Sequence, residues 1–162
     1  MSDLVGRSIV QLPIPQLVHA LNSLSADEWL AYYQYWVGAR LATGIGADVV
    51  SREMEQHAHD EHEHATALAE RILQIGGTPL LSPMDWFTET RAGFLLPSDS
   101  QVRILLQQNI AGEGAAIRGY ESLLEMVSGK DAVTEHLARK HQAKEVEHEF
   151  DLSELMEDLG VA

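Results

Sequence analysis

The sequence predicts an all-α protein: a four-helix bundle of two antiparallel hairpins joined by one long crossover. Three observations carry this. The five prolines fall in two places, Pro13 and Pro15 near the start and Pro79, Pro83 and Pro97 in the middle, which leaves two long proline-free blocks. Interior proline breaks a helix, so such blocks read as helical. Each block is split once by glycine, at Gly44-Ile45-Gly46 and at Ser128-Gly129-Lys130. Apolar residues recur at spacings of three and four through every resulting piece, the pattern of a helix with one buried face.

The elements follow in order. An N-terminal arm occupies 1–14. The first predicted helix covers about 15–43, with Pro15 suited to its first turn and a stripe of Leu17, Leu21, Leu24, Glu28, Ala31 and Tyr35. The second covers about 47–76 and stops at Gly76-Gly77; its stripe is Val50, Met54, His57, Glu61, His64, Leu68, Ile72 and Ile75. The crossover, 77–98, carries Trp86, Phe87, Phe94 and two Leu pairs, and it is long enough to run back along the bundle and pack on its surface. The third helix covers about 99–128, capped by Ser98 or Ser100, with Val102, Leu106, Asn109, Glu113, Ile117, Tyr120 and Leu124 on its stripe. The fourth covers about 131–159, capped by Asp131, with Leu137, Ala138, His141, Glu145, His148, Leu152, Leu155 and Leu159.

Composition narrows the function. A chain of 162 residues, 45% apolar, fits a single domain over 1–162 with a sizeable core. Twenty-five acidic residues against 11 basic ones give a net charge of −14, which excludes a basic nucleic-acid-binding surface and favours cations as partners. Only three lysines are present and the arm carries one arginine, so DNA binding is not expected. There is no cysteine, hence no thiolate site or cysteine nucleophile. No apolar run approaches the ~18 residues of a membrane span. The first residues lack a basic segment followed by an apolar one, so a cytoplasmic setting is expected.

Ionisable groups stand at mid-helix core positions on all four helices. A lone buried carboxylate is costly, and four facing one another repel unless a cation neutralises them. Glu-x-x-His sets an oxygen and an imidazole nitrogen about 60° apart and one turn apart, aimed at one interior point. It occurs twice, at Glu61/His64 and Glu145/His148, where 16 Glu and 8 His give about 0.8 chance matches. The longer His-x-x-x-Glu-x-x-His also occurs twice, at His57/Glu61/His64 and His141/Glu145/His148, against about 0.04 by chance. A second shared pattern is a Glu with a Tyr seven residues later, Glu28/Tyr35 and Glu113/Tyr120. The separations Glu28 to Glu61 and Glu113 to Glu145 are 33 and 32 residues, so the chain reads as two similar hairpins with one metal half-site each. Glu28, Glu61, His64, Glu113, Glu145 and His148 together suit two divalent ions with bridging carboxylates.

Each assignment has a plainer alternative. Ser25-x-x-Glu28 also fits a capping box, although the stripe running back to Leu17 means that the helix is already under way there. The two Glu-x-x-His pairs also fit a buried ion-pair network without metal, and Glu113, among Gly112, Gly114 and Gly119, also fits an exposed glutamate. His57 and His141, one turn from Glu61 and Glu145, are either outer partners or transient metal ligands, or else simple polar contacts. Tyr35 and Tyr120 hydrogen-bond ligand carboxylates, or pass an electron to the site, or fill the core with a satisfied hydroxyl.

Ala26-Asp27-Glu28 through Tyr33-Gln34-Tyr35, Glu61-His62-Glu63-His64-Ala65, Gly112-Glu113-Gly114-Ala115-Ala116 and Glu145-Val146-Glu147-His148 resemble the ferritin-like superfamily. They are most similar to bacterioferritins and to Dps-like proteins with a bacterioferritin-type di-iron site. The resemblance covers roughly 15–155 and implies two irons per subunit. Glu61 and Glu145 would bridge, Glu28 and Glu113 would be terminal, and His64 and His148 would hold one metal each. It implies a ferroxidase that oxidises Fe(II) with O₂ or H₂O₂ and stores ferric mineral in a hollow homo-oligomer, with protection against oxidative stress. Bacterioferritin binds haem through a Met just after the second-helix Glu; His62 stands there, so haem is not expected. Only 14 residues follow His148, too few for the fifth helix of 24-subunit shells, which favours a 12-subunit one. Ordinary Dps proteins place their site between subunits, and thioferritins carry a Cys pair; this chain departs from both. A non-storage dinuclear iron or manganese enzyme acting on peroxide, and a metal-free structural bundle, are the competing readings.

Overall fold

The computed structural model describes residues 4–161, so the first three residues of the expected arm and the last residue lie outside the described part. Four long helices dominate: α2 (Ile14–Leu41), α3 (Ala47–Gln74), α5 (Val102–Val127) and α6 (Ala132–Asp158). Two short ones accompany them, α1 (Val5–Ser8) in the arm and α4 (Pro83–Glu89) in the crossover. No strand occurs among the described residues, only an isolated bridge between Thr43 and Gln101. Among the described residues, no helix is long and apolar enough to cross a membrane.

The helix ends follow their local chemistry. Pro15 sits in the first turn of α2, where a missing N–H costs nothing. Asp131 caps α6 by accepting from the Val133 and Thr134 amides. Gly46 precedes α3 with φ of 78°, in the left-handed region open to glycine. A Cβ there would also come within 2.4 Å of a Leu159 methyl, so this turn packs against the end of α6. The third long helix starts later than expected. Neither Ser98 nor Ser100 caps it, and Gln101 precedes it without a side-chain cap. The Ser100 carbonyl is instead taken by the Thr43 amide at 2.8 Å, and the Val102 amide donates back to the Thr43 carbonyl at 3.1 Å. Pairing with the α2–α3 turn holds this stretch extended.

Two apolar cores divide the bundle. One contains Leu17, Leu21, Leu24, Leu68, Ile72 and Tyr120. The other contains Tyr35, Val50, Met54, Leu105, Leu106 and Leu152. The polar mid-helix positions lie between them. Burial of these side chains holds the helices in register, and that register brings the ionisable groups to one level. A buried ion pair ties the hairpins together at one end: Arg71 of α3 donates to both oxygens of Asp131, at 2.9 and 2.8 Å, and to the Thr134 hydroxyl at 2.8 Å. The crossover is not a free loop. Ser82 accepts from the Met84 amide and starts α4, and Trp86 stacks on Trp29 of α2 with ring centroids 5.1 Å apart.

Candidate metal centre

All six residues singled out by spacing converge. Glu28 comes from the middle of α2, Glu61 and His64 from α3, Glu113 from α5, and Glu145 and His148 from α6. Each is buried, with exposures from 0% to 6%. Glu28 is therefore not a helix-start residue, and Glu113 is not a surface glutamate. His64 Nδ1 lies 2.8 Å from Glu145 Oε1, 3.4 Å from Glu61 Oε2 and 3.6 Å from Glu28 Oε2. His148 Nδ1 lies 3.2 Å from Glu61 Oε1, 3.6 Å from Glu145 Oε2 and 3.8 Å from Glu113 Oε1. Glu61 and Glu145 thus turn one oxygen towards each imidazole. Two four-residue groups able to hold a cation result, Glu28/Glu61/His64/Glu145 and Glu61/Glu113/Glu145/His148, with Glu61 and Glu145 common to both.

These contacts are close, yet both oxygens of Glu61, both oxygens of Glu145 and the Nδ1 atoms of His64 and His148 make no hydrogen bond. Buried polar atoms are normally paired. Six orphaned donor atoms facing one point are what a cation would satisfy. Oxygen and imidazole donors without sulfur suit divalent first-row metals.

The electrostatics match. Burial alone would lower the His64 pKa, but carboxylates of Glu145, Glu28 and Glu61 hold it up at about 12. His148 is likewise opposed by burial and raised to about 9 by Glu145 and Glu113. Burial and neighbouring carboxylates push Glu61 and Glu113 upward. For Glu145 burial acts upward too, but the two imidazoles win and hold it low. Protonated imidazoles thus occupy the place of positive charge when no metal is present.

Tyr35 of α2 donates to Glu113 Oε1, and Tyr120 of α5 donates to Glu28 Oε1. The two hydroxyls cross the bundle and orient the two unshared carboxylates, so both tyrosines serve as oriented donors as well as core. His57 stacks on His148 at 3.9 Å between centroids, and His141 stacks on His64 at 4.2 Å. Burial, followed by the neighbouring His148 or His64, lowers each to about 3.

Asp60 and Asp27 are not among the candidates that the sequence singles out. Asp60 Oδ2 lies 3.2 Å from His148 Nε2; an Nε2–H donated to this carboxylate would leave Nδ1 to face a metal. Asp27 Oδ1 accepts from the Thr90 hydroxyl and from the amides of Arg91 and Ala92, at 2.9 and 3.0 Å. It thereby anchors the crossover over a cavity of about 40 Å³ that reaches Glu28 and Glu113 between α2 and α5. Both lie beside the stripe, where periodicity is silent. A wider groove of about 660 Å³ between α3 and α6 meets His64 from the other side.

The chain matches the family model for the ferritin-like domain over residues 18–160. It is 38% identical to the solved structure of a dodecameric thioferritin, the bacterioferritin-related protein from Bacteroides fragilis, covering 93% of this chain and 89% of that one with a TM-score of 0.90. It is 26% identical to a DNA protection during starvation protein from Pyrococcus furiosus, over 90% of this chain and 79% of that protein. It is 31% identical to a bacterial ferritin from Pseudomonas aeruginosa over 60% of this chain and 66% of that protein. A four-helix bundle with paired Glu-x-x-His helices and these relatives lead to one conclusion: the chain belongs to the ferritin-like family.

Proposed function

We propose that this chain is an iron-storage and detoxification protein whose six converging residues form a ferroxidase centre. Two Fe(II) ions are its substrate, one electron leaves each, and O₂ or H₂O₂ takes up the pair. The observation that carries this reading is the orphaned state of Glu61 and Glu145, each presenting one oxygen to either half of the centre. Glu28 and Glu113, steered by Tyr120 and Tyr35, complete one half each. Carboxylates are hard donors that serve both oxidation states, and the iron gains charge without meeting a softer ligand. His64 and His148 must release their protons as metal enters, since only the neutral ring ligates. The charge of −14 draws Fe(II) inward, within the ~8–10 Å reach that physiological salt leaves.

Storage needs a hollow assembly. The 38% identical thioferritin is dodecameric, which supports a 12-subunit homo-oligomer here. Aerobic addition of Fe(II) to the metal-free protein tests the whole reading. Retention of tens of soluble irons per chain is expected. Saturation near two per chain would instead assign a non-storage dinuclear iron or manganese enzyme acting on peroxide.

A further inference from the structure

The two hairpins repeat with an offset of 84 residues in the helices that carry the His-Glu-His pattern, pairing His57 with His141, Glu61 with Glu145 and His64 with His148. The repeat fails one turn beyond the centre. Glu53 pairs with Leu137, and Asp151 pairs with Ala67. At the His141 end the imidazole has a partner: its Nδ1 is 3.1 Å from the Tyr120 hydroxyl. At the His57 end no tyrosine hydrogen bond forms. His57 is 1% exposed, its Nδ1 has no partner, and its Nε2 is 3.2 Å from Glu53 Oε1 in a contact that is not a hydrogen bond. Glu53, His57 and Asp151 each offer a ligand atom, all within 4.8 Å of one another. The same imidazole also falls within such reach of Glu113 and His148.

We infer that Glu53, His57 and Asp151 form a separate mononuclear site for a divalent cation, one turn beyond the dinuclear centre on the His57 side only. Two partly exposed carboxylates and a buried imidazole with no hydrogen-bond partner make an open three-ligand set, with the remaining positions left to water. Such a set takes hard or borderline cations loosely. Its place beside His148 makes it a staging point for cations passing between the surface and the interior. The inference does not depend on the ferroxidase reading.

Anaerobic calorimetric titration of the metal-free full chain with Co(II), which does not turn over, tests it. Three Co(II) per chain are expected for the wild type and two for Glu53→Gln/Asp151→Asn, substitutions at partly exposed positions that keep side-chain size. The ¹⁵N resonances of His57 should also shift on addition of Zn(II) to a Glu28→Ala/Glu145→Ala chain, in which the dinuclear centre is disabled. A stoichiometry that Glu53→Gln/Asp151→Asn leaves unchanged overturns the inference. One Co(II) per wild-type chain, lost in that double variant, would support this site and overturn the dinuclear one.

Discussion

The two halves of the candidate centre carry the same residue types at the same spacing and differ in their surroundings. In one half, Glu28, Tyr120, His141 and His64 form a closed series: Tyr120 meets both Glu28 and His141, and His141 stacks on His64. In the other, Tyr35 meets Glu113 alone, and His57 stacks on His148 without a hydrogen bond to Tyr35. His148 is steered by Asp60, which also lies 3.5 Å from Lys144 Nζ. The internal repeat places Lys144 itself where Asp60's counterpart would stand, so His64 gets no equivalent carboxylate. A duplicated motif therefore makes two half-sites of different character, one with its outer imidazole held by a tyrosine hydroxyl and one with a carboxylate behind its inner imidazole.

The strongest test of the shared part is Glu145→Ala or Glu28→Ala. Either should slow rapid Fe(II) oxidation by more than ~100-fold in stopped-flow assays, beyond the loss of an outer partner. A wild-type rate in either variant would refute the assignment. Asp60→Ala should act on one half. Loss of a carboxylate behind a ligating imidazole costs about 10- to 100-fold in metal affinity, so Co(II) titration should show one of the two dinuclear steps weakened and the other intact.

The tyrosines sharpen the comparison in metal-free protein. Tyr120→Phe strands Glu28 and His141 together, whereas Tyr35→Phe strands Glu113 only. Each abandoned buried group costs about 1–3 kcal/mol, so urea unfolding should find Tyr120→Phe the less stable of the two.

The imidazoles set a pH dependence with both signs. His57 and His141 titrate near 3 when folded, against 6.5 in an unfolded chain. The unfolded state therefore binds more protons, and stability falls as pH drops below about 6.5. His64 and His148 titrate near 12 and 9. Their contribution is complete below 6.5 and is lost as pH rises towards 9 and beyond. Glu61 and Glu113, raised by burial and by neighbouring carboxylates, add to the loss of stability as pH rises, so metal-free protein should melt at its highest temperature at or somewhat below pH 6.5. Metal removes the alkaline decline because it replaces the two protons, and metal affinity should fall on acidification. Thermal melts across pH with and without Zn(II) check both arms.

Much of this was legible in the chain. Pro and Gly placement marks the four long helices, because backbone chemistry acts locally. The His-x-x-x-Glu-x-x-His repeat marks the centre, because residues three and four apart share a helix face. The cap of α5 is not legible: Ser98 and Ser100 look like caps, but pairing of Ser100 and Val102 with Thr43 across the bundle end outweighs them. The short α4 carried a signal in Ser82-Pro83, a cap followed by a residue suited to a first turn.

By itself, then, the sequence determined the helices, their buried faces and the six residues that meet between them, since each follows from periodicity within one helix. Only the tertiary structure decided which oxygen of Glu61 and Glu145 faces which imidazole, which tyrosine reaches which carboxylate, and that Asp60, Asp27, Glu53 and Asp151 belong to the surroundings of the centre. Those residues lie on the flanks of their helices. A flank position acquires a neighbour through the angle and offset at which helices cross, and packing of all four helices together sets that geometry.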